Sequence, residues 1–242
     1  MASQKNNNIK LALLGHGLLA LPIFELLRKK FIIVEANKAD CLIVANFGKI
    51  LAKEEINRPK FGAINIHPSL LPKYRGATPV QSAIAKGDKE SGFTIIKMDE
   101  KIDHGKIFYQ AKIKIEDDET TEQYISKVAQ KCAVILPIVL KEYFAGNIKL
   151  IDQIDKNVTY TKKISGRIVL ENIDNHQKVY NLIRAYGEEP GVFINLNNNQ
   201  KLKLIEAKLI NNKIMPTLVQ KEGKKPMSYQ TFLNGYHFRL PF

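Results

Sequence analysis

The chain has 242 residues, 45% hydrophobic and 25% charged, the balance of a folded globular protein, which excludes a disordered, collagenous or disulfide-scaffold chain. That length suits one large domain or a medium one with a small companion. The net charge of +13 admits an anionic partner such as nucleic acid, a phosphorylated metabolite or folate, but nearly all of it is lysine, with arginine only at 28, 58, 75, 167, 184 and 239, a bias that an AT-rich genome also produces.

After a polar N-terminal tail, Ile9 to Leu14 reads as a strand ending in Gly15-His16-Gly17, and Leu18, Leu19, Ile23, Leu26 and Leu27 then take helical spacing. The apolar stretch Leu11 to Phe24 is broken by Gly15, His16, Gly17 and Pro22 and has no small-residue cleavage site, so a strand, turn and helix fit it better than a signal peptide. No apolar run approaches the ~20 residues of a membrane span, and a cytoplasmic protein with no membrane partner is expected. Phe31 to Val34 and Asp40 to Ala45 read as strands, too close together for the crossover helix that joins parallel neighbours. Gly62 to Ile66 is the next strand, Pro68 to Arg75 an irregular loop, Thr78 to Ala85 a helix, and Gly92 to Met98 and Ile107 to Ile115 a pair of strands. Thr120 to Phe144 is a long amphipathic helix with Ile125, Val128, Ala129, Cys132, Leu136, Val139, Leu140 and Tyr143 on its apolar face. Cys41 and Cys132 sit in apolar stretches without ligand-like spacing and read as buried thiols in a reducing cytosol.

Past Gly146 comes an Asp- and Asn-containing connection, a helix around His176 to Ala185 and strands at Val192 to Leu196 and Leu202 to Ile210, with a turn at Asn195 to Asn199. The fold class is therefore α/β: a shortened, Rossmann-like wound sheet followed by a small β-rich domain, divided as 1–150 and 151–242.

Gly15-His16-Gly17-Leu18-Leu19-Ala20 fits G-x-G-x-x-A between a strand and a helix, with Glu35 about twenty residues on, as in dinucleotide-binding domains. Any wound α/β domain also needs glycines at that turn. Asn65-Ile66-His67-Pro68-Ser69-Leu70-Leu71-Pro72-Lys73-Tyr74-Arg75-Gly76 is more specific. Side chains alternate along a strand, so Asn65 and His67 share one face at the strand end where ligands of open α/β sheets collect. An amide beside an imidazole can hold a carbonyl oxygen as it becomes an oxyanion, and an imidazolium can also supply a proton. Asp103, in Met98-Asp99-Glu100-Lys101-Ile102-Asp103-His104-Gly105, supplies a carboxylate to orient the ring.

In this order the motifs resemble the family of 10-formyltetrahydrofolate-dependent formyltransferases, which carry N-x-H-x-S-L-L-P-x-x-x-G and then D-x-G on a wound α/β domain. The likeness runs from the first strand through the long helix. Tyr74 to Gln81 is similar to the methionyl-tRNA branch and its sugar-nucleotide relatives, and Asn181 to Ala185, Pro190-Gly191, Gly223 to Ser228 and Phe232 to Gly235 are similar to that branch's OB-like C-terminal domain. The resemblance implies that Asn65, His67 and Asp103 form a catalytic trio that moves a formyl group from 10-formyltetrahydrofolate to a primary amine, with no metal. It implies folate contacts from Asn46, Phe47, Gly48, Lys49, Ile50 and Leu51 and from Met98 and Ile102, and acceptor contacts from Ser69, Lys73, Tyr74 and Arg75. His104 stands where the family usually has a small or hydroxyl residue.

Two departures accompany the likeness. Between Val34 and Asp40 the chain lacks a few tens of residues that in the family form a strand, a helix and, in the tRNA branch, a basic loop. The C-terminal part is abbreviated between Ile210 and Gln220, so a complete five-stranded barrel is not expected. Methionyl-tRNA is the leading acceptor, with a nucleotide-linked amino sugar as the alternative. A nicotinamide oxidoreductase and a non-catalytic RNA-binding protein are the rivals from other classes.

Overall fold

The computed structural model describes residues 8–196 and 200–236. The N-terminal tail and the Asn197 to Asn199 part of the expected turn lie outside the described residues. Contacts divide the chain into two units, the first made of residues 1–79, 90–114 and 122–162, the second of 80–89, 115–121 and 163–242.

The first unit opens with β1 (Lys10–Gly15), α1 (Gly17–Arg28), β2 (Ile32–Ile33), β3 (Cys41–Ala45), α2 (Lys53–Asn57), β4 (Ala63–His67) and the two-residue β5 (Arg75–Gly76). Next in the chain is α3 (Pro79–Lys86), most of which clusters with the second unit, and then β6 (Glu90–Lys97), β7 (Lys106–Lys114), α4 (Thr121–Phe144) and β8 (Tyr160–Thr161). Six strands form one sheet in the order β2-β1-β3-β4-β6-β7. The first four are parallel, while β6 and β7 run antiparallel to their neighbours. From β1 the chain winds outward to β2, and from β3 it winds the other way to β4, so the strand order reverses between β1 and β3. The ligand crevice of an open α/β sheet forms outside the carboxyl ends of the strands at such a reversal.

The short link between β2 and β3 has a simple geometry. The two strands are parallel but not neighbours, because β1 lies between them. A 3₁₀ turn over Ala36–Lys38 makes the crossing, pinned to β1 by Val34 N–H on the Leu11 carbonyl at 2.9 Å and Asp40 N–H on the Lys10 carbonyl at 2.8 Å. Ala36 and Ala39 are small enough to lie against the apolar cluster of Ala12, Leu42, Val44, Leu51, Ile56 and Ala63.

Helix α4 buries Val128, Ala129, Cys132, Leu136, Val139 and Leu140, as its spacing predicts, together with Tyr124, whose hydroxyl donates to the Ile113 carbonyl at 3.0 Å. Both cysteines are buried and unbridged. Burial pushes the Cys41 thiol up to about 12 and that of Cys132 higher still, because a thiolate would lose its hydration. The thiolate is the reactive form, so a disulfide reagent at about pH 8 is expected to leave both residues unmodified in the native protein and to titrate both in guanidinium. Rapid labelling of the folded protein would contradict that burial. Among the described residues no helix is long and apolar enough to cross a membrane.

The second unit contains β9 (Ile168–Leu170), α5 (His176–Tyr186), β10 (Val192–Asn195), β11 (Lys201–Ile210), β12 (Lys213–Lys221), β13 (Met227–Ser228) and α6 (Tyr229–Gly235). Its sheet has the order β13-β12-β11-β10-β9, and among the described residues no pairing joins the two end strands. Asn175 caps α5 by accepting from Lys178 N–H at 2.9 Å. The buried Arg184 donates to the Glu116 and Glu119 carbonyls at 3.2 and 2.9 Å, which ties residues 115–121 to this unit.

Beyond the strand expected to end at Ile210, Lys213–Lys221 is a further nine-residue strand paired with β11 from Ile210↔Lys213 to Leu202↔Lys221. Pro216 hides it, because proline cannot donate to a ladder and argues against a central strand. The structure accommodates it where β12 is an edge, since β13 covers only Leu218 and Val219.

Candidate active site

Strand β4 places Asn65 and His67 on one face, two residues apart, and the loop between β6 and β7 brings Asp103 to them. The Asn65 amide nitrogen donates to Asp103 Oδ1 at 3.1 Å. Asp103 Oδ2 lies 3.5 Å from His67 Nδ1 and accepts the Gly76 N–H at 2.8 Å. His67 Nε2 lies 2.8 Å from the Tyr74 carbonyl, which can only accept, so Nε2 carries a proton. Nδ1 is turned to the Asp103 carboxylate. His67 is only 4% exposed, so its orientation is set by the protein rather than by water.

The D-x-G spacing follows from this geometry. Asp103 holds a left-handed φ of +50°, and a Cβ on Gly105 would stand 1.8 Å from the Lys97 carbonyl oxygen. Glycine alone lets the loop pass that close to β6. His104 points its Nδ1 at Asp99 Oδ2, 2.6 Å away, rather than joining the trio.

The residues expected on the folate side divide into two groups. Asn46 to Leu51 follow β3 at the strand-order reversal, and Asn46, at φ +50°, donates its amide to the His16 carbonyl at 3.1 Å. Phe47, Leu51 and Met98 pack together with the Ala12–Leu42–Val44 cluster, while Gly48, Lys49 and Ile50 are exposed, Ile50 to 82%. Ile102 is 56% exposed. It lines an open cleft of about 700 Å³ together with Arg75, Lys101, His104, Val158 and Tyr160.

The expected acceptor residues are placed less uniformly. Lys73 is exposed. Ser69 is fully buried, and its hydroxyl donates to the Lys73 carbonyl at 2.7 Å while its own carbonyl accepts from Thr94 Oγ1 at 2.6 Å. These contacts make Ser69 a brace of the loop. Tyr74, at φ +61°, is buried and offers its carbonyl to His67. Arg75 is 2% exposed and donates to Gln153 Oε1 from Nε at 3.1 Å and from Nη2 at 2.7 Å, with Asp155 and Tyr160 at 3.3 and 3.5 Å.

Sequence reasoning missed the supports. Thr94 stands opposite His67 in the β4–β6 register and also accepts from Leu71 N–H and Gln110 Nε2. Gln153 and Thr159 lie on the segment after α4, where no periodicity or spacing marks them. Only the N-x-H alternation could have pointed to Thr94, by asking which strand lies alongside β4.

The wound sheet carries a partly buried Asn–His–Asp constellation beside the end of β4, and the comparisons point to a family of group-transfer enzymes. Residues 28–140 match the formyl transferase family model. The methionyl-tRNA formyltransferase of Bartonella tribocorum is 32% identical over 231 residues, covering 86% of this chain and 75% of that protein. The methionyl-tRNA formyltransferase of Kosmotoga olearia is 40% identical over 176 residues, covering 72% of this chain and 56% of that one, so this match spans little more than half of the relative. Among solved structures, that of WlaRD, a sugar 3N-formyl transferase determined in the presence of dTDP and 5-N-formyl-THF, superposes with a TM-score of 0.66 at 19% identity. It covers 91% of this chain and 100% of that one, which places the fold. This chain belongs to the formyl transferase family.

Proposed function

We propose that the protein transfers a formyl group from 10-formyltetrahydrofolate to the amino group of methionyl-tRNA in the cytoplasm, using Asn65, His67 and Asp103. The convergence of the Asn65 amide and the His67 ring on the Asp103 carboxylate carries this reading. Folate supplies the formyl carbon. The second amide hydrogen of Asn65 and the protonated His67 ring meet the formyl oxygen as it gains negative charge, and donors aimed at developing charge are a large source of rate enhancement. Asp103 orients the ring and takes up the proton that the attacking amine must lose; collapse of the tetrahedral adduct then breaks the bond from the formyl carbon to folate N10, which receives that proton as tetrahydrofolate leaves. The 3.5 Å separation of His67 Nδ1 from Asp103 Oδ2 lies within ion-pair distance. Phe47 and Met98, half-buried against the core near the exposed residues 48–50, suit a flat pterin ring.

The identity shared with methionyl-tRNA enzymes over most of the chain favours that acceptor. The sheet likeness to a sugar enzyme and the seven-residue crossing in place of a strand and helix favour a nucleotide-linked amino sugar as a second reading. Tetrahydrofolate release measured with each acceptor separates them: turnover is expected with methionyl-tRNA, and turnover on the amino sugar alone would overturn that choice. Asn65→Ala is expected to lower the rate about 10²–10³-fold with the protein still folded, and a near-normal rate would remove Asn65 from the chemistry.

A further inference from the structure

We propose that Gln153, on the strap of residues 153–161 that follows α4, is a positioning residue for the transfer, fixing at once the two groups that orient the His67 ring. The proposal rests on the formyl-transfer reading given above. Those two groups are the Asp103 carboxylate and the Tyr74 carbonyl, and they belong to different loops. Gln153 joins the loops. Its Oε1 accepts twice from Arg75, beside Tyr74, and its Nε2 donates to the Asp103 and Gly105 carbonyls, both at 2.9 Å. The amide thereby uses both acceptor sites and both hydrogens. Its orientation is unambiguous, because a guanidinium only donates and the two carbonyls only accept.

The rest of the strap closes the same frame. Thr159 accepts the Tyr74 N–H on Oγ1 and the Arg75 N–H on its carbonyl, each at 2.8 Å, and β8 pairs with β5. A Cβ on Gly76 would stand 2.3 Å from the Thr161 carbonyl oxygen, so the strap lies as close as glycine permits. From that position Gly76 gives its N–H to Asp103 Oδ2. Asp103 is thus held at its carboxylate by one loop and at its carbonyl by the strap, in a left-handed conformation it would not keep by local preference.

The chemistry of the contact dictates a selective test. Gln153→Glu can still accept from Arg75 but sets a carboxylate oxygen against the two loop carbonyls in place of a donor. Gln153→Ala removes both halves and carries the test if the glutamate variant fails to fold. In either folded variant kcat is expected to fall about 10–100-fold, because small misplacements of a catalytic group cost that much. KM for both substrates should stay within about twofold. The ¹⁵N resonance of His67 Nδ1 is expected to move in both variants, a change that mere structural support elsewhere would not cause. A folded variant with wild-type kcat, or one whose His67 resonance is unmoved, would overturn the proposal. If the wild-type protein formylates no amine the functional reading fails, while the His67 resonance still decides whether Gln153 sets the ring.

Discussion

Asp103→Asn is expected to lower formyl transfer about 10³–10⁴-fold in single-turnover measurements without unfolding the protein, as loss of the charge that orients a catalytic histidine does elsewhere. The replacement keeps size and shape, so the effect isolates charge and hydrogen-bond direction. In the native site both carboxylate oxygens accept, one from Asn65 and the other from Gly76 N–H, with His67 Nδ1 also facing the latter. An asparagine has one acceptor and one donor end. If its oxygen serves Gly76 and His67, its NH₂ meets the Asn65 amide head on and forces that amide to turn. If it is reversed, the Gly76 N–H is left facing a donor and His67 Nδ1 loses the group that favours its proton. Either choice dismantles one of the two groups proposed to meet the formyl oxygen. Turnover within about tenfold of wild type would mean that Asp103 only shapes the loop.

The second large effect is expected of His67→Ala. Removing the ring takes away a donor and the proton held between Asp103 and Tyr74, and general acid–base groups of this kind contribute about 10²–10⁴ in rate. It also leaves the Tyr74 carbonyl without its 2.8 Å donor inside the protein. An unsatisfied buried acceptor costs about 1–3 kcal/mol, a drop that urea denaturation resolves and a marginally stable domain survives. The two measurements together separate chemistry from folding. A rate near wild type would exclude His67 from catalysis, whatever the stability change.

Much of the wound sheet can be read directly from residues. Apolar runs ending in glycine or polar loops mark β1, β3 and β4, and period-two alternation places Asn65 with His67. D-x-G is legible too, because a left-handed aspartate and a glycine pressed against β6 are sequence-local demands. Partners brought from far along the chain are not legible. Ser69 and Arg75 sit in a polar loop and look like ligand-facing residues, yet both turn inward, and nothing in a loop's composition tells an inward hydroxyl or guanidinium from an outward one. Gln153 is a lone amide in an irregular segment, and its importance comes wholly from what β5 and the Asp103 loop present to it. Strand β12 is hidden by Pro216, whose tolerance depends on the length of a neighbouring strand rather than on its own surroundings in the sequence.

The strap also bears on when the site comes into being. Strands β1, β2 and β3 pair residues 22 and 30 positions apart, as in Lys10↔Ile32 and Leu11↔Cys41, and shorter loops cost less entropy to close. The bond from Arg75 to Gln153 spans 78 residues, and that from Gln153 to Asp103 spans 50. Both spans enclose β7 and α4, so the brace on the Asp103 loop is complete only once those two elements are in place.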